Sequence, residues 1–94
     1  MGSPSGVIDN PAASRFELPV GDTVAVSNYR IDRNRVVLTH TEVPQHLTGQ
    51  GIGSQLAQGV FDAIRASGRK AVPVCPFMAA FVERHPELDE IIAR

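Results

Sequence analysis

The chain has 94 residues, 43% of them hydrophobic, and a formal net charge of −1, which is the size and composition of one globular domain. Its lysines and arginines are scattered singly, which argues against a nucleic-acid footprint or a polybasic membrane patch. The single cysteine, Cys75, excludes an internal disulfide, lacks the partners of a zinc pattern, and fits a reducing, cytoplasmic compartment.

Residues 1–14, MGSPSGVIDNPAAS, are small, polar and proline-containing, and read as a flexible or extended arm ahead of a single domain over 15–94. Met1–Gly6 could be a purification remnant. The arm has no apolar core for a signal peptide, and Gly6 occupies the place where myristoylation needs Ser or Thr. No run in the chain approaches the roughly 20 apolar residues of a membrane span. Phe16, Leu18 and Val20 alternate as a first strand, with Pro19 favouring a sheet edge. Gly21-Asp22 is a turn, Thr23–Ile31 is strand-like without one clean face, and Asp32-Arg33-Asn34 is a hairpin turn. Arg35–Val43, RVVLTHTEV, is dense in β-branched residues and is the strongest strand. A period of 2 sends Val36, Leu38, His40 and Glu42 to one face, and Val37, Thr39, Thr41 and Val43 to the other. Pro44 ends it.

A helix follows, with Ile52, Leu56, Val60 and Ile64 recurring every fourth residue beside Ala57 and Phe61, and Ser67-Gly68 stopping it. Ala71–Cys75 is a short buried strand interrupted by Pro73. Phe77–Arg84 is a short helix, and Pro86 suits the first position of a last helix through Ile92. The order predicts an α/β or α+β fold. Its sheet is mixed and mostly antiparallel, with a right-handed parallel strand–helix–strand crossover at its centre and short C-terminal helices.

Between the strongest strand and the long helix lies LTGQGIGSQL, with Gly49, Gly51 and Gly53 at alternate positions. Glycine serves turns that need positive φ. A helix start, however, presents unpaired N–H groups and partial positive charge, so a glycine turn leading into a helix is also an anion cradle. The dinucleotide fingerprint fails here. Ser54 stands where the third glycine belongs, and no acidic residue lies about 20 positions beyond. The P-loop fails too, because the stretch holds no lysine.

Thr48-Gly49-Gln50-Gly51-Ile52-Gly53 resembles the [Q/R]-x-x-G-x-[G/A] signature of the Gcn5-related N-acetyltransferases in all but its first position. The wider stretches LTHTEVPQHLTGQGIGSQL, VPVCPF and ERHPEL resemble a small single-domain subgroup of that superfamily. Its members carry an H-T-x-V strand and a cysteine after the next strand. DNPAASRFEL resembles the subgroup's opening strand, so the likeness covers nearly everything from Asp9 onward. The departure is Thr48, where the subgroup commonly has arginine, a residue able to form charge-assisted bonds to a phosphate.

The resemblance implies an acetyl-coenzyme A-dependent enzyme with no metal. The pyrophosphate would meet the amides of Gln50, Gly51, Ile52, Gly53 and Ser54. The pantetheine arm would pair with the strand edge near Val43. Acetyl transfer to an amine needs a proton acceptor, for which His40 and Glu42 are candidates, and a donor for the leaving sulfur. Many relatives use a tyrosine as donor. Here that region has Phe77 and Phe81, while Tyr29 lies on an earlier strand. Cys75 is the nearest ionisable substitute, as acid, as nucleophile, or only as a small buried hydrophobe.

His46 reads as a loop residue beside the coenzyme mouth, His85 as structural, and Phe77/Phe81 as an i,i+4 core pair. Arg69 and Lys70 could touch the coenzyme 3′-phosphate, or simply end a solvated helix. No H-x-x-H or C-x-x-C spacing supports a metal. Two other readings stand beside the enzyme: an acyl-coenzyme A-binding module with little catalysis, and an interaction domain whose glycine loop is only a turn. The acceptor amine and the oligomeric state are not written in the sequence.

Overall fold

The computed structural model describes residues 6–93; all of the Met1–Gly6 stretch except Gly6 lies outside them. Ile8–Asn10 (β1), Arg15–Val20 (β2), Thr23–Asp32 (β3), Arg35–Glu42 (β4) and Lys70–Pro73 (β5) form one sheet in the order β1-β2-β3-β4-β5. The first four strands are antiparallel, and β4 and β5 are parallel. Ile52–Ser67 (α1) crosses between β4 and β5, and Pro76–Arg84 (α2) follows β5. Short 3-10 turns cover Pro11–Ala13, Gln45–Leu47 and Pro86–Ile91.

Strand β1 was not expected within the arm. It is three residues long and runs into Asn10, whose side chain accepts from the Ala13 N–H at 3.3 Å to start the turn at Pro11. It pairs only with Arg15–Glu17. Pro19 therefore lies beyond its reach, and β2 is an edge at that point, where a missing N–H costs no ladder bond. Strand β5 is shorter than expected. Pro73 brings no N–H to the ladder, and the Val74 and Cys75 N–H groups both reach the Leu38 carbonyl at 3.0 Å, with Val74 sharing its N–H with the Val72 carbonyl. The last helix is a 3-10 turn that ends before Ile92. Ile92 instead bridges Ala71, and the Ala93 N–H donates to the Ala71 carbonyl at 2.8 Å, covering part of the outer edge of β5.

The regular alternation read into β4 is broken by a bulge. Tyr29 pairs with Leu38 and Asn28 with His40, which leaves Thr39 as an extra residue on β4. Before the bulge, Val36 and Leu38 point into the helix layer; after it, Thr41 and Val43 do. His40 and Glu42 pair across from Asn28 and Val26, on the opposite face of the sheet from Ala25, Ser27 and Tyr29. The bulge thus parts His40 and Glu42 from Val36 and Leu38.

One core fills the space between sheet and helices. Leu56, Ala57, Val60, Phe61 and Ile64 of α1 pack on Phe16, Leu18, Ala25, Tyr29, Val36 and Leu38, with Met78 and Phe81 of α2 beside them. The Phe61 and Phe81 rings stack at 5.9 Å, and the His85 ring lies on Phe81 at 3.9 Å. His85 Nδ1 is 2.8 Å from the Phe81 carbonyl, a structural placement.

Candidate active site

The chain leaves β4 at Pro44 and winds tightly toward α1. The Leu47 N–H donates to the Pro44 carbonyl (2.9 Å), Thr48 to Gln45 (3.1 Å) and Gln50 to Leu47 (3.3 Å). Buried Leu47 anchors this turn in the protein. Gly49 and Gly51 then take φ of +86° and +76° with open space around them. Their requirement is conformational, since other residues pay for a left-handed backbone. Gly53 is different. It is inside the helix, and a β-carbon there would lie 2.6 Å from Cζ of Phe77. It is a packing glycine that lets α2 close on the start of α1.

Gly51 caps the helix without a side-chain bond, and the first helical bond runs from the Gln55 N–H to the Gly51 carbonyl at 3.0 Å. The N–H groups of Ile52, Gly53 and Ser54 precede it and have no helical acceptor. These residues border a cleft of about 400 Å³ together with Thr41 of β4, Val43 just beyond it, the Leu47–Gly49 turn, Gly51, and Phe77 and Arg84 of α2. A hollow of about 500 Å³ lies elsewhere, between β5, α2 and the last turn. It contains no α-helix start, and its charged lining residues are Glu83 and Asp89, the wrong sign for a phosphate.

The cleft also has a strand edge. Pairing between β4 and β5 stops at Leu38–Pro73, while β4 runs on to Glu42. The two parallel strands therefore splay, and the later part of β4 has no strand beside it on that side. An unpaired strand edge is a template for a further extended chain.

A family model described as GCN5-related N-acetyl-transferase matches residues 15–91. The chain belongs to the GCN5-related N-acetyltransferase family. The fold agrees with that of a GCN5-like protein from Staphylococcus aureus, solved in solution by NMR. The two superpose with a TM-score of 0.72 at 23% identity, over 97% of this chain and 90% of the other. A search of curated proteins gave no match.

Within this acetyltransferase, Val43, Gly51, Ile52, Gly53 and Ser54 line the cleft together. Gln50 stands apart: its N–H is engaged by Leu47, and its side chain donates to the His46 carbonyl at 3.3 Å. Cys75 is buried at the N-cap of α2. Its Sγ is 3.3 Å from Thr41 Oγ1, which is 3.3 Å from Oγ of the fully buried Ser27. The thiol therefore meets the cleft through Thr41. His40 Nε2 and Glu42 Oε1 are 3.9 Å apart, exposed on the other face of the sheet.

Tyr29 is no proton donor at this cleft. Burial first, and then the hydrogen bond its hydroxyl donates to Asp9 at 2.7 Å, push its pKa up to about 12. It lines a small cavity with Ser67 and Arg69, at the far end of the 16-residue α1, about 24 Å from the glycines at 1.5 Å per residue. Arg69 shares that end, and Lys70 Nζ there donates to the Glu90 carbonyl at 2.5 Å, so the helix-end reading suits both. Among the described residues no group of three His, Cys, Asp or Glu side chains could hold a metal, and no helix is long and apolar enough to cross a membrane. Phe77 and Arg84 were not foreseen as cleft residues. Their i,i+7 spacing on α2 was the available signal, since it places both on one stripe of that helix.

Proposed function

We propose that this protein transfers an acetyl group from acetyl-coenzyme A to an amine. The observation that carries the reading is that free helix-start amides and the unpartnered edge of β4 border one cleft. The amides suit a pyrophosphate, and the strand edge suits the amide-bearing pantetheine arm. Bound acetyl-coenzyme A supplies the acetyl group as an activated thioester. Gly51 to Ser54 hold its phosphates, and the β4 backbone near Val43 aligns the arm toward the splay at Leu38 and Pro73.

The acceptor amine approaches from the face of the sheet opposite the helices. Its nitrogen must lose a proton as the new C–N bond forms and the C–S bond breaks. His40 and Glu42 stand on that face to take the proton, directly or through water. Cys75, held by Thr41 near the splay, is the group placed to return a proton to the leaving sulfur. The acceptor is a small-molecule amine, a peptide N-terminus or a lysine side chain. A cytoplasmic setting, where acetyl-coenzyme A is made available, suits a lone unpaired thiol.

A second reading is an acyl-coenzyme A-binding module. It is favoured by the 4% exposure of Cys75 and by threonine at position 48. Calorimetry with coenzyme A and acetyl-coenzyme A tests the shared part: no binding at millimolar ligand refutes both. Thiol release from acetyl-coenzyme A across a panel of amines and peptides then decides between them. Binding without amine-dependent release would leave the module.

A further inference from the structure

We infer that Arg84, at the end of α2, is the cation that anchors the phosphates of the coenzyme, in place of the arginine missing at position 48. The inference rests on the coenzyme reading above and adds a residue to it. Among the described residues lining the cleft, Arg84 carries the only charged side chain. Arg84 borders the same cleft as the start of α1, and a guanidinium can form two parallel bonds to a phosphate.

Four other cations are placed away from the cleft. Arg15 pairs with Glu17 at 2.7 Å and Arg65 with Glu90. Lys70 is bonded to Glu90, and Arg69 lies at the far end of α1. Arg84 forms no ion pair among the described residues. Its recorded partner is the Phe81 ring, whose centroid is 6.0 Å from the guanidinium carbon, the outer limit of a cation–π contact. That contact restrains the side chain without neutralising it.

The helix explains the placement. Phe77 and Arg84 are seven residues apart, two turns along one stripe and about 10 Å in rise. Phe77 packs against Gly53 at the cleft floor, so the same stripe delivers Arg84 to the cleft two turns further on. The competing reading is an ordinary cation at a helix C-terminus, favoured there by the helix dipole. That role would be indifferent to coenzyme.

The test is calorimetry with coenzyme A, 3′-dephospho-coenzyme A and pantetheine, on wild type, Arg84→Gln, Arg84→Lys and Arg84→Gln/Thr48→Arg. Arg84→Gln should weaken coenzyme A binding by about tenfold to a hundredfold, the range for a hydrogen bond to a charged group, and leave pantetheine binding unchanged. The lysine variant should recover part of the loss, and Thr48→Arg should restore affinity in the glutamine background. An equal loss with 3′-dephospho-coenzyme A places the contact on the pyrophosphate. A loss confined to intact coenzyme A places it on the 3′-phosphate. Both support the anchor. Arg84 is exposed, so unchanged thermal melts are expected and would separate binding from folding. If wild type binds coenzyme A and Arg84→Gln binds it equally well, this inference fails while the coenzyme reading stands. If wild type binds none, the coenzyme reading itself fails and takes this one with it.

Discussion

Gly51 and Gly53 look equivalent in the sequence, yet alanine at each should act on a different property, stability at Gly51 and coenzyme binding at Gly53. At Gly53 the new β-carbon would stand 2.6 Å from Cζ and 3.1 Å from Cε2 of Phe77, so the ring must retreat by about 1 Å to regain contact near 3.5–4 Å. Phe77 is 38% exposed and has room to swing. Its lost contacts are worth about 0.1–0.2 kcal/mol each, while alanine gains up to about 1 kcal/mol over glycine in a helix. The two terms offset, and Gly53→Ala should change unfolding free energy by less than about 1 kcal/mol.

At Gly51 nothing lies within 4 Å of the added carbon, but φ is +76°, and a left-handed backbone costs a non-glycine residue about 1–2 kcal/mol. Gly51→Ala should therefore melt lower, by about 4–8 °C for each kcal/mol in a domain of this size. The binding order should differ from the stability order. The displaced Phe77 ring borders the cleft, so Gly53→Ala should weaken coenzyme A binding by about tenfold, equivalent to 1.4 kcal/mol. Thermal melts and calorimetry on the two variants check this. Equal melting losses for both, or unchanged coenzyme affinity in Gly53→Ala, would refute the division of roles among the glycines.

Thr41→Val should cost about 1–3 kcal/mol in urea unfolding, because it leaves the buried hydroxyl of Ser27 without its partner; Thr41→Ser should retain most of the stability. Stability should be independent of Tyr29 ionisation at neutral pH and decline between about pH 10 and 12, since the folded pKa is raised from 10.0 to about 12 and the unfolded chain loses that proton first. Tyr29→Phe should remove this alkaline slope, and equilibrium unfolding across that window measures it. His40→Ala and Cys75→Ala should each lower amine-dependent turnover by about a hundredfold or more, the low end of general acid–base contributions. Steady-state rates that are unchanged in both would overturn these residue roles.

The parts that were legible are those written in local chemistry. Gly51 and Gly68 bracket α1 with left-handed caps, and the apolar stripe between them needs no tertiary information. The glycine loop was readable for the same reason. The face of His40 and Glu42 was not, because RVVLTHTEV carries β-branched residues at both parities and only the pairing with β3 shows where the extra residue sits. Strand β1 was hidden by its length and by the turn chemistry of Asn10-Pro11. The meeting of Phe77 and Arg84 with the glycine loop depends on how α2 docks, and the Phe77/Phe81 spacing pointed equally well to a core. In the structure Phe81 is core while Phe77 is the lid over Gly53.

The extra residue in β4 works like a reading-frame insertion in a strand. Remove Thr39 and restore even pairing, and the following four residues exchange sides: His40 and Glu42 would turn toward the helices, and Thr41 and Val43 would turn outward. Two polar side chains would then replace a valine and the partner of a buried thiol, while the outer face would lose its ionisable pair. Substitutions along this strand act on one side at a time. A single deletion would rewrite both at once, so which side chains meet the cleft and which stand on the open face hangs on the count of residues in β4 as much as on their identity.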